Sequence, residues 1–291
     1  FNDIFVVIAC LLLLISVHWI GREVALWFGA LLQTISAWAL AEYFTRKRRM
    51  ALPSIVLLLA FVGGVLATSM MLLKVFSFSE EADGALAISS GVAALAAWVH
   101  WHRFKVPITV AAGTATLVAC AITLLLSTVS DALQWVSTLT FTLGAMVFAL
   151  AMRWDASDIL RQTRRSDVAF WLHLVAAPLL VHPIFSFLEI FEAQAQIGIW
   201  QAFAVAILYL VIALISLSID RRALMVSALA YVLFVFSTLL EQHGVVGLGF
   251  AFTAFIIGFG LLLLSAFWHS CRKAVLRFYP SFIQERLPAM L

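Results

Sequence analysis

Long apolar runs of about twenty residues, separated by short polar connections, fill most of this chain. The runs Ile55–Leu73 and Ile207–Leu217 are apolar on every side of a helix. Inside a bilayer a segment must satisfy its own backbone hydrogen bonds, so only helices and closed barrels can span it. A barrel would show alternating polarity over roughly ten-residue segments, which these runs lack. The sequence therefore predicts an all-α, polytopic transmembrane helical bundle.

Composition supports this class and argues against a soluble domain. Hydrophobic residues make up 64% of the chain and charged residues 11%, against roughly 25% charged residues in soluble domains. The formal net charge of +3 comes from cations clustered in connections, which indicates membrane orientation and excludes a nucleic-acid partner. The lipid bilayer is the predicted partner.

Windows of about nineteen residues identify about ten spanning helices. The predicted spans are Ile4–Ile20, Val24–Tyr43, Leu52–Phe76, Ala85–His100, Val106–Val129, Trp135–Met152, Val168–Ile190, Ile197–Ile219, Ala223–Leu240 and Val245–Trp268. We expect residues 1–268 to form a single transmembrane bundle. Residues 269–291 are expected to form a cytoplasmic, basic amphipathic tail. Because the chain starts at Phe1 and not at Met, an N-terminal extension is expected before it.

Cations are distributed very unevenly among the connections. Sixteen of the eighteen Lys and Arg residues fall in one alternate set of connections and in the C-terminal tail. Arg22 and Lys74 are the two others. The positive-inside rule then predicts a multi-pass protein of the cell inner membrane with both termini cytoplasmic. The longest connection, Arg153–Asp167, is expected to form a short capped helix that begins at Asp155 and Asp158.

The seventh span combines apolar length with costly polar residues. Pro178 and Pro183 each free a backbone carbonyl one turn earlier, and His173 and His182 lie beside the residues that carry those carbonyls. One interpretation is that the histidines compensate the kinks locally. Nine residues separate the two histidines, which puts them on opposite faces of a helix, because successive residues are about 100° apart.

A functional alternative starts from a polar stripe. Pro178, His182, Ser186 and Glu189 share one face of the seventh span. Tyr231 and Glu241 share a face of the ninth span with Ser227 and Thr238. Together the two faces predict a path for substrate or protons, with His182 and Glu189 exchanging protons. The alternative is ordinary interhelical hydrogen bonding, worth about 0.6 kcal/mol per bond.

Motifs for catalysis or metal binding are missing from the sequence. It contains no H-E-x-x-H, no G-x-S-x-G and no phosphate-binding glycine loop. The three cysteines are far apart and have no metal-ligand spacing. We therefore expect no enzyme activity, no metal and no cofactor. Haem held by two of His18, His173, His182 and His243 stays open, because such ligation leaves no local signature.

Three functions remain in view. The first is a secondary transporter or permease for a small solute, possibly coupled to protons through His182 and Glu189. The second is a non-catalytic membrane subunit or scaffold that binds a partner membrane protein. The third is a haem-binding or enzymatic membrane protein. A polar cavity that reaches His182 or Glu189 would favour the first.

Overall fold

A computed structural model describes residues 2–75, 82–129, 131–187, 199–242 and 249–280. Within these ranges every regular element is a helix, so the predicted all-α class is confirmed. The chain divides into two compact units, Phe1–Val136 and Ser137–Leu291. Whether residues 1–268 form one bundle with a separate tail stays a prediction.

The first unit packs successive helices side by side. Small residues permit close approach: a Cβ on Gly21 would lie 2.8 Å from Gly29 Cα, and a Cβ on Gly64 would collide with Thr34 Oγ1. Backbones that meet this closely are typical of helix pairs in membranes. The helices of this unit are α1 (Asn2–Arg22), α2 (Leu26–Ala41), a π-helix (Glu42–Lys47), α3 (Ala51–Val75), α4 (Ala82–Phe104) and α5 (Ile108–Thr128).

The second unit contains the seventh span, which is one continuous helix with Pro178 and Pro183 inside it. α9 packs against α7, α8 and α10, and α11 packs against α8. The axes of α10 and α11 meet at 74°. The helices of this unit are α6 (Leu133–Ala156), α7 (Arg164–Ser186), α8 (Ile199–Ile219), α9 (Ala223–Gln242), α10 (Gly249–Ala266) and α11 (Trp268–Leu276).

Each predicted span coincides with one of these helices, α1 to α10. Eight are long and apolar enough to cross a membrane, and the bent α10–α11 pair would make a ninth. α2 has only 16 residues, or about 24 Å, which is shorter than the roughly 30 Å hydrocarbon core. Its chain continues directly into the π-helix. The protein is therefore a multi-pass helical membrane protein.

The connection between α6 and α7 differs from expectation. Asp155 lies in the last turn of α6 and does not begin a new helix. The chain turns through 157–163, and α7 begins at Arg164 with Thr163 as its N-cap. The separate helix predicted for Arg153–Asp167 is therefore wrong, because Asp155 is held in α6 by partners from other helices that the local pattern does not show.

Candidate functional site

The predicted stripe on α7 lies on an exposed face of that helix. Pro178 and His182 are exposed, and Ser186 is half-buried. The Ser186 hydroxyl donates to the His182 carbonyl at 2.9 Å, and a 2.7 Å hydrogen bond joins His182 Nδ1 to the Tyr231 hydroxyl on α9. His182 and Tyr231, predicted to face one path, are thus brought together. Glu189 lies outside the described residues, and so does the side chain of Glu241.

His173, on the opposite face, is buried in a charged cluster. His173 is 1% exposed, and its Nε2 lies 3.0 Å from a carboxylate oxygen of Asp155 on α6. Arg221, between α8 and α9, donates to both oxygens of Asp155, at 3.2 and 2.5 Å, and to the Ser166 carbonyl. We call Asp155, His173 and Arg221 the Asp155 cluster. Each histidine of α7 thus bonds to another helix instead of the carbonyls that its prolines free.

A second group of charges surrounds Asp220, in the turn between α8 and α9. Its carboxylate accepts from Arg161 Nη1 at 2.7 Å and from Trp268 Nε1 at 2.6 Å, and Arg272 lies 3.9 Å away. Arg161 and Asp220 both have left-handed backbones, with φ of 53° and 57°. That conformation costs roughly 1–2 kcal/mol for an ordinary residue. The ion pair holds two strained turns together.

These two groups were missed because the sequence shows their partners only in space. Asp155 lies at the C-terminal end of α6, where the helix dipole disfavours a carboxylate. An acidic residue at the C-terminal end of a helix, next to connections rich in arginine, was the signal in the sequence that cations pair with Asp155. Each carboxylate is paired, and the two groups join α6, α7, α8 and α11 at one end of the unit. Buried ion pairs of this kind can fix the positions of helices.

Asp158, in the loop that follows α6, organises the start of α7. Its carboxylate accepts from the Thr163 hydroxyl at 2.7 Å and from the backbone amides of Thr163 and Gln162. The Thr163 hydroxyl is the largest of the interactions that hold the pKa of Asp158 below its ordinary value, and the two amide donors lower it further. The carboxylate therefore stays ionised at neutral pH and fixes the loop.

A large cavity lies between α8, α9 and α10. We call it the α8–α10 cavity. Its volume is about 690 Å³, within the ~300–1,000 Å³ of small-molecule sites. The lining runs from Met225 to Leu240 on α9 and from Phe252 to Leu264 on α10. At 1.5 Å per residue these stretches are about 22 and 18 Å long.

The walls of this cavity are almost wholly apolar. Tyr209 on α8 and Thr253 on α10 are among its lining residues, and within the described residues their hydroxyls are buried and have no hydrogen-bond partner. Thr253 is 5% exposed. A buried hydroxyl without a partner costs about 1–3 kcal/mol. Both hydroxyls are shielded from the cavity, so its walls offer an occupant almost no hydrogen-bond partner.

A smaller cavity of about 180 Å³ adjoins the α8–α10 cavity near the turn between α8 and α9. We call it the mouth cavity. It shares three lining residues with the larger one and adds Arg222, Ser265 and Trp268. Arg222 Nη1 donates to Ser265 Oγ at 3.2 Å, and Arg222 Cζ lies 4.6 Å from the centre of the Trp268 ring. The apolar cavity thus ends beside a cation.

Among the described residues no group of three or more His, Cys, Asp or Glu side chains could hold a metal ion. His173 bonds to Asp155 and His182 bonds to Tyr231. His243 is outside the described residues. The expectations of no metal, no cofactor and no enzyme activity stay predictions, as does haem binding.

Fold and site together define a multi-pass helical membrane protein with an apolar cavity in its second unit. Comparisons of the chain with protein families, with curated proteins and with solved structures give no match.

Proposed function

We propose that this protein is a non-catalytic membrane carrier for a small amphiphile that has a hydrocarbon chain. The α8–α10 cavity carries the proposal, because it combines ligand-sized volume with apolar walls. A hydrated solute would lose several kcal/mol of hydrogen bonding to water on entering such a site. The hydroxyls of Tyr209 and Thr253 would replace little of that loss. A hydrocarbon chain gains instead about 0.8 kcal/mol for each buried methylene.

Proton coupling through His182 is part of this proposal. Neutral His182 can accept the Tyr231 hydroxyl proton at Nδ1, whereas protonated His182 can only donate there. Protonation would therefore force the Tyr231 hydroxyl to turn. Tyr231 precedes Val232, whose side chain lines the α8–α10 cavity. His182 is thus separated by one residue, Tyr231, from the lining of the cavity.

The proposal places the carrier in a cell inner membrane with both termini cytoplasmic. Within the first unit, one end of the helix pair α3 and α4 carries Arg46, Arg48 and Arg103. Lys74 lies at the opposite end of α3. This distribution is that of the positive-inside rule. Fusion of a reporter to the C-terminus tests it: a cytoplasmic reporter should be active there and a periplasmic one inactive.

Binding is tested by photolabelling with a neutral probe, hexadecanol that carries a diazirine, followed by peptide mapping. An added Cβ at Gly258 or Gly260 of α10 meets nothing within 4 Å, and Gly260 lines the cavity while Gly258 is absent from its lining. Gly260→Leu should narrow the cavity and reduce labelling of α8 and α9. Gly258→Leu is the matched control and should label normally. Equal labelling of both variants, or labelling no stronger than that of lipid-exposed α1, would exclude this site.

Carriage is tested in proteoliposomes by the transbilayer movement of a fluorescent single-chain amphiphile. The protein should accelerate movement, and an imposed pH gradient should change the rate. His182→Gln should remove the dependence on the gradient and retain probe labelling. Binding of the probe without accelerated movement would exclude carriage and leave only a lipid-binding role.

A further inference from the structure

The residues of the mouth cavity indicate which polar group the ligand carries at the end of its hydrocarbon chain. Arg222 begins α9 from the α8–α9 turn, and Ser265 lies in the last turn of α10. Helix ends and tryptophans such as Trp268 belong to the interfacial layer of a membrane, where lipid headgroups lie. The cavity that starts there is about 18–22 Å long, slightly more than the roughly 15 Å of one hydrocarbon leaflet.

Arg222 differs from the neighbouring arginines in its partners. In the described part of the chain, Arg221 pairs with Asp155, and Arg161 and Arg272 lie within 4 Å of Asp220. No ion pair within that distance involves Arg222, which is exposed and donates one bond to Ser265. A guanidinium has five N–H donors in a planar fork. Among the described residues, Ser265 is the one acceptor of the Arg222 guanidinium, so most of these donors have no acceptor there.

The geometry fits a phosphate group. A guanidinium binds two phosphate oxygens at once, and such charge-assisted bonds are about twice as strong as neutral ones. The Ser265 hydroxyl can donate to a phosphate oxygen while it accepts from Arg222. The Trp268 ring packs against the guanidinium at 4.6 Å and limits its rotamers.

We infer that the ligand is an anionic phospholipid whose phosphate binds Arg222 and Ser265 while one hydrocarbon chain occupies the α8–α10 cavity. The inference rests on the proposed function, because a chain in the cavity is required. Lipid is favoured over free phosphate because the anion site shares three lining residues with an apolar cavity, which a free ion would leave empty. An arginine near the membrane surface favours an anionic lipid about fivefold.

The test is competition against the neutral hexadecanol probe in purified protein. Phosphatidylglycerol should displace the probe at about one fifth of the concentration that phosphatidylcholine needs. Arg222→Gln should make the two lipids equal, and Arg222→Lys should keep part of the difference. Arg277→Gln, which removes an exposed arginine just beyond α11, is the matched control and should keep all of it.

If the probe labels the cavity but Arg222→Gln keeps the preference for phosphatidylglycerol, the anion site is wrong and the carrier proposal stands. If the probe never labels the cavity, both fall. If inorganic phosphate alone changes labelling and phosphatidylglycerol does no more, the ligand is a soluble phosphate and the lipid assignment is overturned.

Discussion

Removal of the Asp155 carboxylate should destabilise the second unit severely. Asp155 is 3% exposed and accepts from His173 at 3.0 Å and from two nitrogens of Arg221. In Asp155→Ala the guanidinium of Arg221, 9% exposed, would keep only its 3.2 Å bond to the Ser166 carbonyl. An uncompensated buried charge typically costs 3–5 kcal/mol, so we expect a loss of about 4 kcal/mol in the free energy of unfolding.

That loss is measurable as a lower thermal midpoint. At about 2–4 °C per kcal/mol, the expected decrease is roughly 8–16 °C. The assay heats purified protein in detergent and measures the fraction that stays monodisperse by size-exclusion chromatography. Asp167→Ala is the matched control: Asp167 is exposed in the first turn of α7, and its loss should cost less than about 1 kcal/mol.

A double variant separates charge from packing. In Asp155→Leu with Arg221→Met, no buried charge remains without a partner, so much of the lost stability should return. If Asp155→Ala melts within 2 °C of Asp167→Ala, or if the double variant is worse than Asp155→Ala, then buried charge is not what the cluster contributes. Apparent midpoints should be compared at one scan rate for all variants, because an irreversible unfolding transition depends on scan rate.

Three further predictions concern other parts of the chain. Gly64→Ala should lower the thermal midpoint by an amount that corresponds to about 1–3 kcal/mol, because its Cβ would strike α2, whereas Gly63→Ala meets nothing within 4 Å and should not lower it. Tyr231→Phe should cost only about 0.6 kcal/mol, since it removes one interhelical bond to His182; a loss above 2 kcal/mol would contradict this. Hydrogen bonds lower the pKa of Asp158, so the stability they add is present above the ordinary pKa and lost as pH falls through the lowered one. The midpoint difference between wild type and Asp158→Asn should therefore vanish in acid; a constant difference would refute it.

The helical class and the order of the helices were accessible from the sequence. The length of a span and its hydrophobicity on every side are local properties of the sequence. In lipid, a single segment can satisfy its own backbone hydrogen bonds only as a helix. The bounds of α1 to α10 follow the predicted spans to within a few residues. The π-helix Glu42–Lys47 and the 74° bend after α10 depend on packing, and no local pattern indicated them.

Only part of the candidate site could be predicted from the sequence. His182 and Tyr231 were each chosen for their helical face, and they do meet across α7 and α9. His173 was assigned to its own helix, because a sequence does not show that Asp155 and Arg221 converge on it. The cavity was beyond reach for a different reason: its walls are ordinary apolar residues, and a gap between helices has no signature in any one of them.

The contact between Trp268 and Asp220 also bears on how the chain is made. α11 follows α8, α9 and α10 in the sequence, so the ribosome releases Trp268 some 48 residues after Asp220. Until then the Asp220 carboxylate lacks one of its donors, and the mouth cavity lacks one wall. The second unit can therefore reach its final form only after α11 has emerged. A nascent chain arrested before Trp268 should insert its helices yet leave this end of the unit accessible to protease.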